Sequence, residues 1–226
     1  MTTAHVDILF QIVVFLFAIS VHESAHAWTA MVNGDPTAYM LGRVTLNPLK
    51  HIDPVGTVLL PLIAMLTGLP VIGWAKPTPV NPRNFRTPVR SDILTSVAGP
   101  VSNLLVASIA VVLLVFIALL LPGGRVIVHN LALGATTDTG SFLMPAGLFL
   151  YETMFINVLL AIFNLIPVPP LDGSHVLRHL LPTSAQRVYD MAGMVGLVLL
   201  VLVGGRFIAF VLNPVVGAIN ALLMRV

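Results

Sequence analysis

Four long apolar runs dominate this chain of 226 residues. They lie at about residues 8–32, 92–121, 142–168 and 190–222. Each run exceeds the roughly 20 apolar residues that a helix needs to cross the hydrocarbon core of a bilayer. The chain is 57% hydrophobic and only 9% charged, unlike an average soluble domain. Because a backbone in lipid must satisfy its own hydrogen bonds, we predict an all-α polytopic membrane protein with a bundle of about 4–6 transmembrane helices.

The connection between the first two runs lacks helical periodicity. The stretches 37–53 and 73–90 are rich in proline and asparagine, which predicts short extended segments, either strands or loops, lying against the bundle. Between them, 55–72 is apolar but short for a span, and it contains Pro61. We therefore predict a re-entrant element at 55–72, between the first and second full spans.

The last apolar run contains residues that interrupt helices. Gly204, Gly205 and Pro214 lie inside 190–222, so this run is either one kinked helix or two separate elements. The chain shows no internal repeat, low-complexity tract or appended soluble domain. We therefore expect residues 1–226 to form a single integral-membrane domain.

Composition excludes several classes of function. The chain contains no cysteine, which excludes disulfides, thiolate nucleophiles and cysteine-bound metals. The net charge of +2 rests on 11 Lys and Arg residues, and no basic run is interleaved with aromatic residues. We expect the lipid bilayer and no nucleic acid among its partners, and the sequence favours no particular oligomeric state.

The basic residues indicate a topology. Several of them fall within one short connection: Lys76, Arg83, Arg86 and Arg90. Because cytoplasmic loops carry an excess of Lys and Arg, we predict that 33–91 is cytoplasmic and that 122–141 lies outside, with the protein in the plasma or inner membrane. On this topology, His26 and Asp172 both lie toward the cytoplasmic ends of parallel helices.

An H-E-x-x-H pattern, formed by His22, Glu23 and His26, lies inside the first apolar run. Helical periodicity places both histidines on one face, where they can reach a single cation, and Glu23 lies close enough to act on a water molecule of that metal. A carboxylate in the middle of a membrane helix costs roughly 2.5–3.5 kcal/mol on insertion scales, so it indicates a function. The pattern predicts a zinc hydrolase that works within a bilayer.

A catalytic zinc needs three protein ligands and one open position, and this pattern supplies two. The chain offers only two Glu and seven Asp as candidates for the third. Asp172 stands out because it precedes Gly173 and follows an apolar helix broken by prolines at 167, 169 and 170. Such a break at membrane depth is tolerated only where it lines protein or a wet cavity.

From Asn164 to Gly173 the sequence N-L-I-P-V-P-P-L-D-G resembles a motif of the site-2 protease family of intramembrane zinc metalloproteases. Members pair this motif with H-E-x-x-H on an earlier membrane helix. The stretch A-G-P-V-S-N at 98–103 is similar to the family's G-P-x-x-N element, and 73–85 is similar to a segment of its compact members. Neither a PDZ-like nor a nucleotide-sensing insertion is evident.

The resemblance implies that His22, His26 and Asp172 bind one Zn²⁺ per chain and that Glu23 is the general base and proton shuttle. It implies a metalloendopeptidase that cleaves within or near transmembrane segments of membrane proteins, which are then its substrates and partners, as in regulated intramembrane proteolysis. Another type of membrane metalloprotease would leave the L-D-G element unexplained. A non-proteolytic metal transporter or metal-dependent scaffold that uses the same ligands is the alternative.

Further polar residues interrupt the apolar helices. Asn164 and Asn103 carry amides that could hold the substrate backbone or an oxyanion, whereas Asn157 either joins helices or lines a cavity. His175 and His179 have the spacing of a metal pair but no adjacent Glu, so we interpret them as part of a solvated face. No residues for a further cofactor are indicated.

Overall fold

The computed structural model describes residues 3–59, 63, 75–135 and 143–226, and within these residues all regular structure is helical. Short 3₁₀ turns occur at Pro48–Lys50 and Pro82–Asn84, and a π-helical turn occurs at Pro54–Leu59. The α-helices are α1 (Thr3–Val32), α2 (Thr37–Met40), α3 (Pro88–Leu120), α4 (Gly124–Ala132), α5 (Leu143–Asn164), α6 (Asp172–Leu180), α7 (Thr183–Val203) and α8 (Gly205–Leu223).

Four of the described helices are long and apolar enough to cross a membrane: α1 from Ile8 onward, α3, α5 and α8. This confirms the predicted all-α polytopic class. The last apolar run is split, because α7 ends at Val203 and α8 begins at Gly205. A Cβ at the intervening Gly204 would lie 2.0 Å from the Leu200 carbonyl oxygen, so only glycine fits this close junction.

The described parts of 37–53 and 73–90 form loops and short helical turns up to the start of α3, so of the two predicted alternatives, strands or loops, loops are observed. Asn47 and Asn81 each precede a proline, and their side-chain oxygens accept a backbone N–H two residues on, at 3.1 and 3.2 Å. Each capping asparagine begins a tight turn, so the extended backbone ends at that asparagine. The predicted re-entrant element at 55–72 lies largely outside the described residues and stays a prediction.

Two compact units make up the chain. The first comprises Met1–Ala18, Asn103–Phe163 and Arg206–Val226. Its helices pack through apolar side chains, several of them fully buried: Val14, Leu114, Val128, Met154 and Leu223. Because lipid tails are as apolar as these side chains, the helices are held together here by close van der Waals packing rather than by exclusion of water. The single domain over 1–226 stays a prediction.

The second unit comprises Ile19–Ser102 and Asn164–Gly205 and relies more on buried polar side chains. Asp35 is fully buried, and Arg43 is only 5% exposed. Since a buried charge is tolerated only when hydrogen-bonded, both side chains bind loop groups, and Arg43 donates to three main-chain carbonyls. The loops of this unit are therefore held in defined positions.

Candidate metal centre

The three predicted ligands converge within the second unit. His22 Nε2 and His26 Nε2 lie 3.1 and 3.4 Å from Asp172 Oδ2, and the two Nε2 atoms are 3.0 Å apart. Both histidines are buried, each only 7% exposed, one helical turn apart on α1. Within the described residues, these three form the one cluster of His and acidic side chains compact enough to hold a metal ion.

These side chains fit a zinc ion. Zinc bonds of roughly 2.0–2.1 Å in a tetrahedral site place ligand atoms about 3.3 Å apart, close to the separations between these three atoms. In addition, Asp172 Oδ2 is buried and, among the residues that the structure describes, has no hydrogen-bond partner. Such an orphaned carboxylate oxygen is costly in a protein interior unless a cation binds it.

Helix α3 orients one of these ligands. His26 Nδ1 donates a hydrogen bond of 2.7 Å to the main-chain carbonyl of Thr95. A proton on Nδ1 leaves the lone pair of Nε2 directed at the cluster, which is the tautomer that a metal requires. Sequence reasoning missed Thr95, because a carbonyl contact carries no side-chain signature.

Gly99 lies against both histidines. A Cβ at this position would lie 2.4 Å from His26 Nε2 and 2.6 Å from His22 Nε2. From the sequence, Gly99 is part of a G-P-x-x-N element and is expected to be a close-packing position. The structure shows that the missing side chain leaves room for the ligands themselves, so any larger residue must displace them.

A tight turn brings Asp172 to the cluster. Asp172 is the first residue of α6, and a Cβ on the following Gly173 would lie 2.2 Å from the Leu165 carbonyl oxygen. The turn is also held by Tyr189 of α7, whose hydroxyl donates to the Pro167 carbonyl at 2.9 Å. Glycine after the aspartate is thus required for the close return of the chain.

The carboxylate of Glu23 is bound by Thr78, a residue that sequence reasoning did not single out. The Thr78 N–H and hydroxyl donate to Glu23 Oε2 at 2.8 and 2.7 Å. Pro77 and Pro79 flank Thr78, and this P-T-P pattern was a weak signal of an extended segment.

The predicted substrate amides have different surroundings. Asn103 is fully buried, and its Nδ2 donates to the Ala18 carbonyl at 3.2 Å and to Asn157 Oδ1 at 2.7 Å. Asn157 in turn donates to the Thr153 carbonyl at 2.8 Å. Asn164 is the last residue of α5 and is partly buried. The substrate roles of Asn103 and Asn164 stay predictions.

His175 and His179 are not simply a solvated face, because both bind Asp92 of α3. Asp92 Oδ2 lies 3.3 Å from His175 Nδ1 and 2.7 Å from His179 Nε2. The His175 side chain is 48% exposed, whereas that of His179 is 18% exposed. The hydrogen bond to Asp92 raises the pKa of His175, more than burial lowers it.

Apolar helices able to cross a membrane, together with a His-His-Asp cluster and a neighbouring glutamate, define a class of membrane-bound metal-dependent hydrolases. The profile of Peptidase family M50 matches residues 10–203. The chain belongs to this family, which confirms the predicted resemblance to site-2 proteases.

Two relatives agree with this assignment. YwhC of Bacillus subtilis (strain 168) is 36% identical over 210 residues, which cover 92% of this chain and 86% of the relative. Rip2 of Mycolicibacterium smegmatis is 30% identical over 192 residues, which cover 83% of this chain and 63% of the relative. Both are named as zinc metalloproteases. No solved structure is significantly similar to the chain. The protein is a zinc metalloprotease integral to the membrane, and the metalloendopeptidase prediction is confirmed.

Proposed function

We propose that this protein is an intramembrane protease that hydrolyses peptide bonds within or near the transmembrane segments of other membrane proteins, with one zinc per chain. The observation that carries the proposal is the convergence of His22, His26 and Asp172 on a single point, with two of these residues inside the apolar span Ile8–Val32. A metal site on a soluble domain would not need a span of this kind.

In this proposal His22, His26 and Asp172 hold the zinc, which when bound supplies a Lewis acid that polarises the scissile carbonyl and acidifies a water molecule. Glu23 takes a proton from the attacking water and delivers it to the leaving amine. The Thr95 carbonyl keeps His26 in the required tautomer.

The position of two site residues inside an apolar span supports the proposed substrate class. A transmembrane substrate is helical, and its peptide bonds are closed by hydrogen bonds within the helix, so it must unwind locally before attack. Asn164, at the end of α5, is proposed to contact the unwound backbone.

A cytoplasmic orientation of the site is part of the proposal. Four basic side chains are exposed on the segment between Ala75 and the first turn of α3: Lys76, Arg83, Arg86 and Arg90. This segment also carries Thr78, the partner of Glu23. An excess of Lys and Arg marks cytoplasmic segments, which supports placing the site near the cytoplasmic face of the plasma membrane.

The test combines zinc analysis with cleavage of a generic transmembrane substrate, both on detergent-purified protein. We expect one zinc per chain in the wild type, loss of zinc and activity in Asp172→Ala, and full zinc without turnover in Glu23→Gln. The glutamine variant keeps the size of the side chain but cannot accept a proton, so it separates metal binding from chemistry. Full activity in Glu23→Gln, or activity independent of zinc, would show the proposal to be wrong.

A further inference from the structure

The contact between Thr78 and Glu23 joins two residues that are 55 positions apart in the sequence. Two donors of Thr78, its backbone N–H and its hydroxyl, converge on the same oxygen, Glu23 Oε2, at 2.8 and 2.7 Å, and the hydroxyl also lies 3.0 Å from the main-chain carbonyl oxygen of Glu23. Within the described residues, no hydrogen bond is made to the other oxygen, Oε1. Of the two carboxylate oxygens, Oε2 is therefore the one that the protein holds.

The backbone around Thr78 is restricted so that this N–H points in one direction. Proline fixes φ near −65° and disfavours helical conformations in the residue before it. Thr78 follows Pro77 and precedes Pro79, and neither proline has an N–H. Thr78 thus supplies the only main-chain donor of this tripeptide, and it donates to Glu23.

A buried arginine holds the segment before Thr78 in place. Arg43, 5% exposed, donates through Nη2 to the carbonyls of Lys76 and Pro77 at 3.3 and 3.1 Å. The Lys76 N–H also donates to the His51 carbonyl at 2.9 Å. Hydrogen bonds from a charged donor are among the stronger ones, so the backbone at Lys76 and Pro77, just before Thr78, is firmly fixed.

The segment after Thr78 has a second anchor. Asp35 is fully buried, and its Oδ2 accepts the Asn81 N–H at 2.6 Å while its Oδ1 accepts Asn84 Nδ2 at 2.8 Å. These bonds and those of Arg43 fix the chain on both sides of Thr78, at Lys76 and Pro77 before it and at Asn81 after it. This arrangement holds a donor pair at a fixed position rather than on a free loop.

We propose that Thr78 is a positioning residue for Glu23, and this inference rests on the proposed role of Glu23 as general base. A glutamate side chain has three rotatable bonds and must otherwise be ordered at the moment of proton transfer. Hydrogen bonds that hold one carboxylate oxygen direct the other oxygen at the water, so the cost of ordering is met before the reaction.

A matched pair of substitutions tests the hydroxyl. Thr78→Val keeps the shape, the β-branched backbone preference and the N–H, and removes only the hydroxyl, whereas Thr78→Ser keeps both donors. We expect kcat to fall about 10-fold in Thr78→Val, with KM and zinc content unchanged, because a hydrogen bond to a charged group is lost. Thr78→Ser should stay within about twofold of the wild type.

Thr87→Val is the control for removing a threonine hydroxyl elsewhere in the same unit. Thr87 bonds the Ser91 hydroxyl at 3.0 Å and has no contact with Glu23. We expect it to leave kcat unchanged. All variants are compared with Glu23→Gln in the same detergent preparation, with zinc content and the thermal unfolding midpoint measured alongside kcat and KM.

Several outcomes would overturn the inference: wild-type or increased kcat in Thr78→Val, an equal loss in Thr78→Ser, or a loss of zinc that accounts for the lower activity. Its failure is distinct from that of the proposed function. If Glu23→Gln is inactive while Thr78→Val is normal, only the role of Thr78 is wrong. If Glu23→Gln is active, the general-base assignment itself is wrong.

Discussion

Two buried polar clusters in this protein differ in how completely their polar atoms are satisfied. In the first unit, both donors of the Asn103 amide have acceptors, and Asn157 bonds Thr153 in turn. In the second unit, Asp172 Oδ2 faces two histidine nitrogens without a hydrogen bond. Satisfied polar groups in membrane helices join the helices, whereas a convergent set of ligand atoms that includes a buried carboxylate oxygen without a hydrogen bond is suited to a cation.

The largest effect, on zinc content and on cleavage rate, is expected at Gly99, which packs against the predicted metal ligands. In Gly99→Ala the added methyl would lie 2.4 Å from His26 Nε2, so we expect loss of zinc and a fall in cleavage of more than about 100-fold. Gly217→Ala in α8 is the matched control, because a Cβ there has no neighbour within 4 Å. Zinc per chain and cleavage rate are measured on both. Retention of zinc and activity in Gly99→Ala would contradict the packing described at the ligands.

A smaller effect, on stability rather than on zinc content, is expected at the hydrogen-bonded pair Asn103 and Asn157. Asn103→Ala leaves the Asn157 oxygen without its donor, so we expect a lower thermal unfolding midpoint, a loss of stability of roughly 1–2 kcal/mol, and full zinc content. kcat should stay within about threefold of the wild type. An unchanged midpoint with a strongly reduced kcat would instead favour the predicted oxyanion role of Asn103.

The smallest effect concerns pH and the contact between His175 and Asp92. The pKa of His175 is raised above its ordinary value of 6.5, so this pair stabilises the folded protein fully below about pH 6.5 and progressively less as pH rises through the higher folded-state pKa. His175→Gln should therefore lower the thermal midpoint more at pH 6 than at pH 9. Because the His175 side chain is 48% exposed, the shift should be small.

A neighbouring ion pair is the control for this pH dependence. Arg178 Nε lies 3.1 Å from Asp190 Oδ1 on an exposed surface, and this pair contains no imidazole. Asp190→Asn should change the midpoint equally at both pH values. If His175→Gln behaves in the same way as Asp190→Asn, the contribution assigned to protonated His175 is wrong.

Features that depend on a local pattern were predicted well. The membrane helices follow from run length and hydropathy, and the common face of His22 and His26 follows from the helical period. For 37–53 and 73–90 the sequence left strands and loops open, because composition alone does not show that an asparagine caps the proline turn after it.

The sequence by itself determined the membrane class and the spacing of the paired histidines around Glu23, and it predicted Asp172 as the third ligand, because each of these features belongs to a motif of residues close together along the chain. Only the tertiary structure decided which distant groups support them: the Thr95 carbonyl at His26, the space at Gly99 and the donors of Thr78 at Glu23. The physical reason is that these contacts use main-chain groups, a missing side chain and a common hydroxyl. None of these leaves a pattern in the sequence until folding brings it to the site.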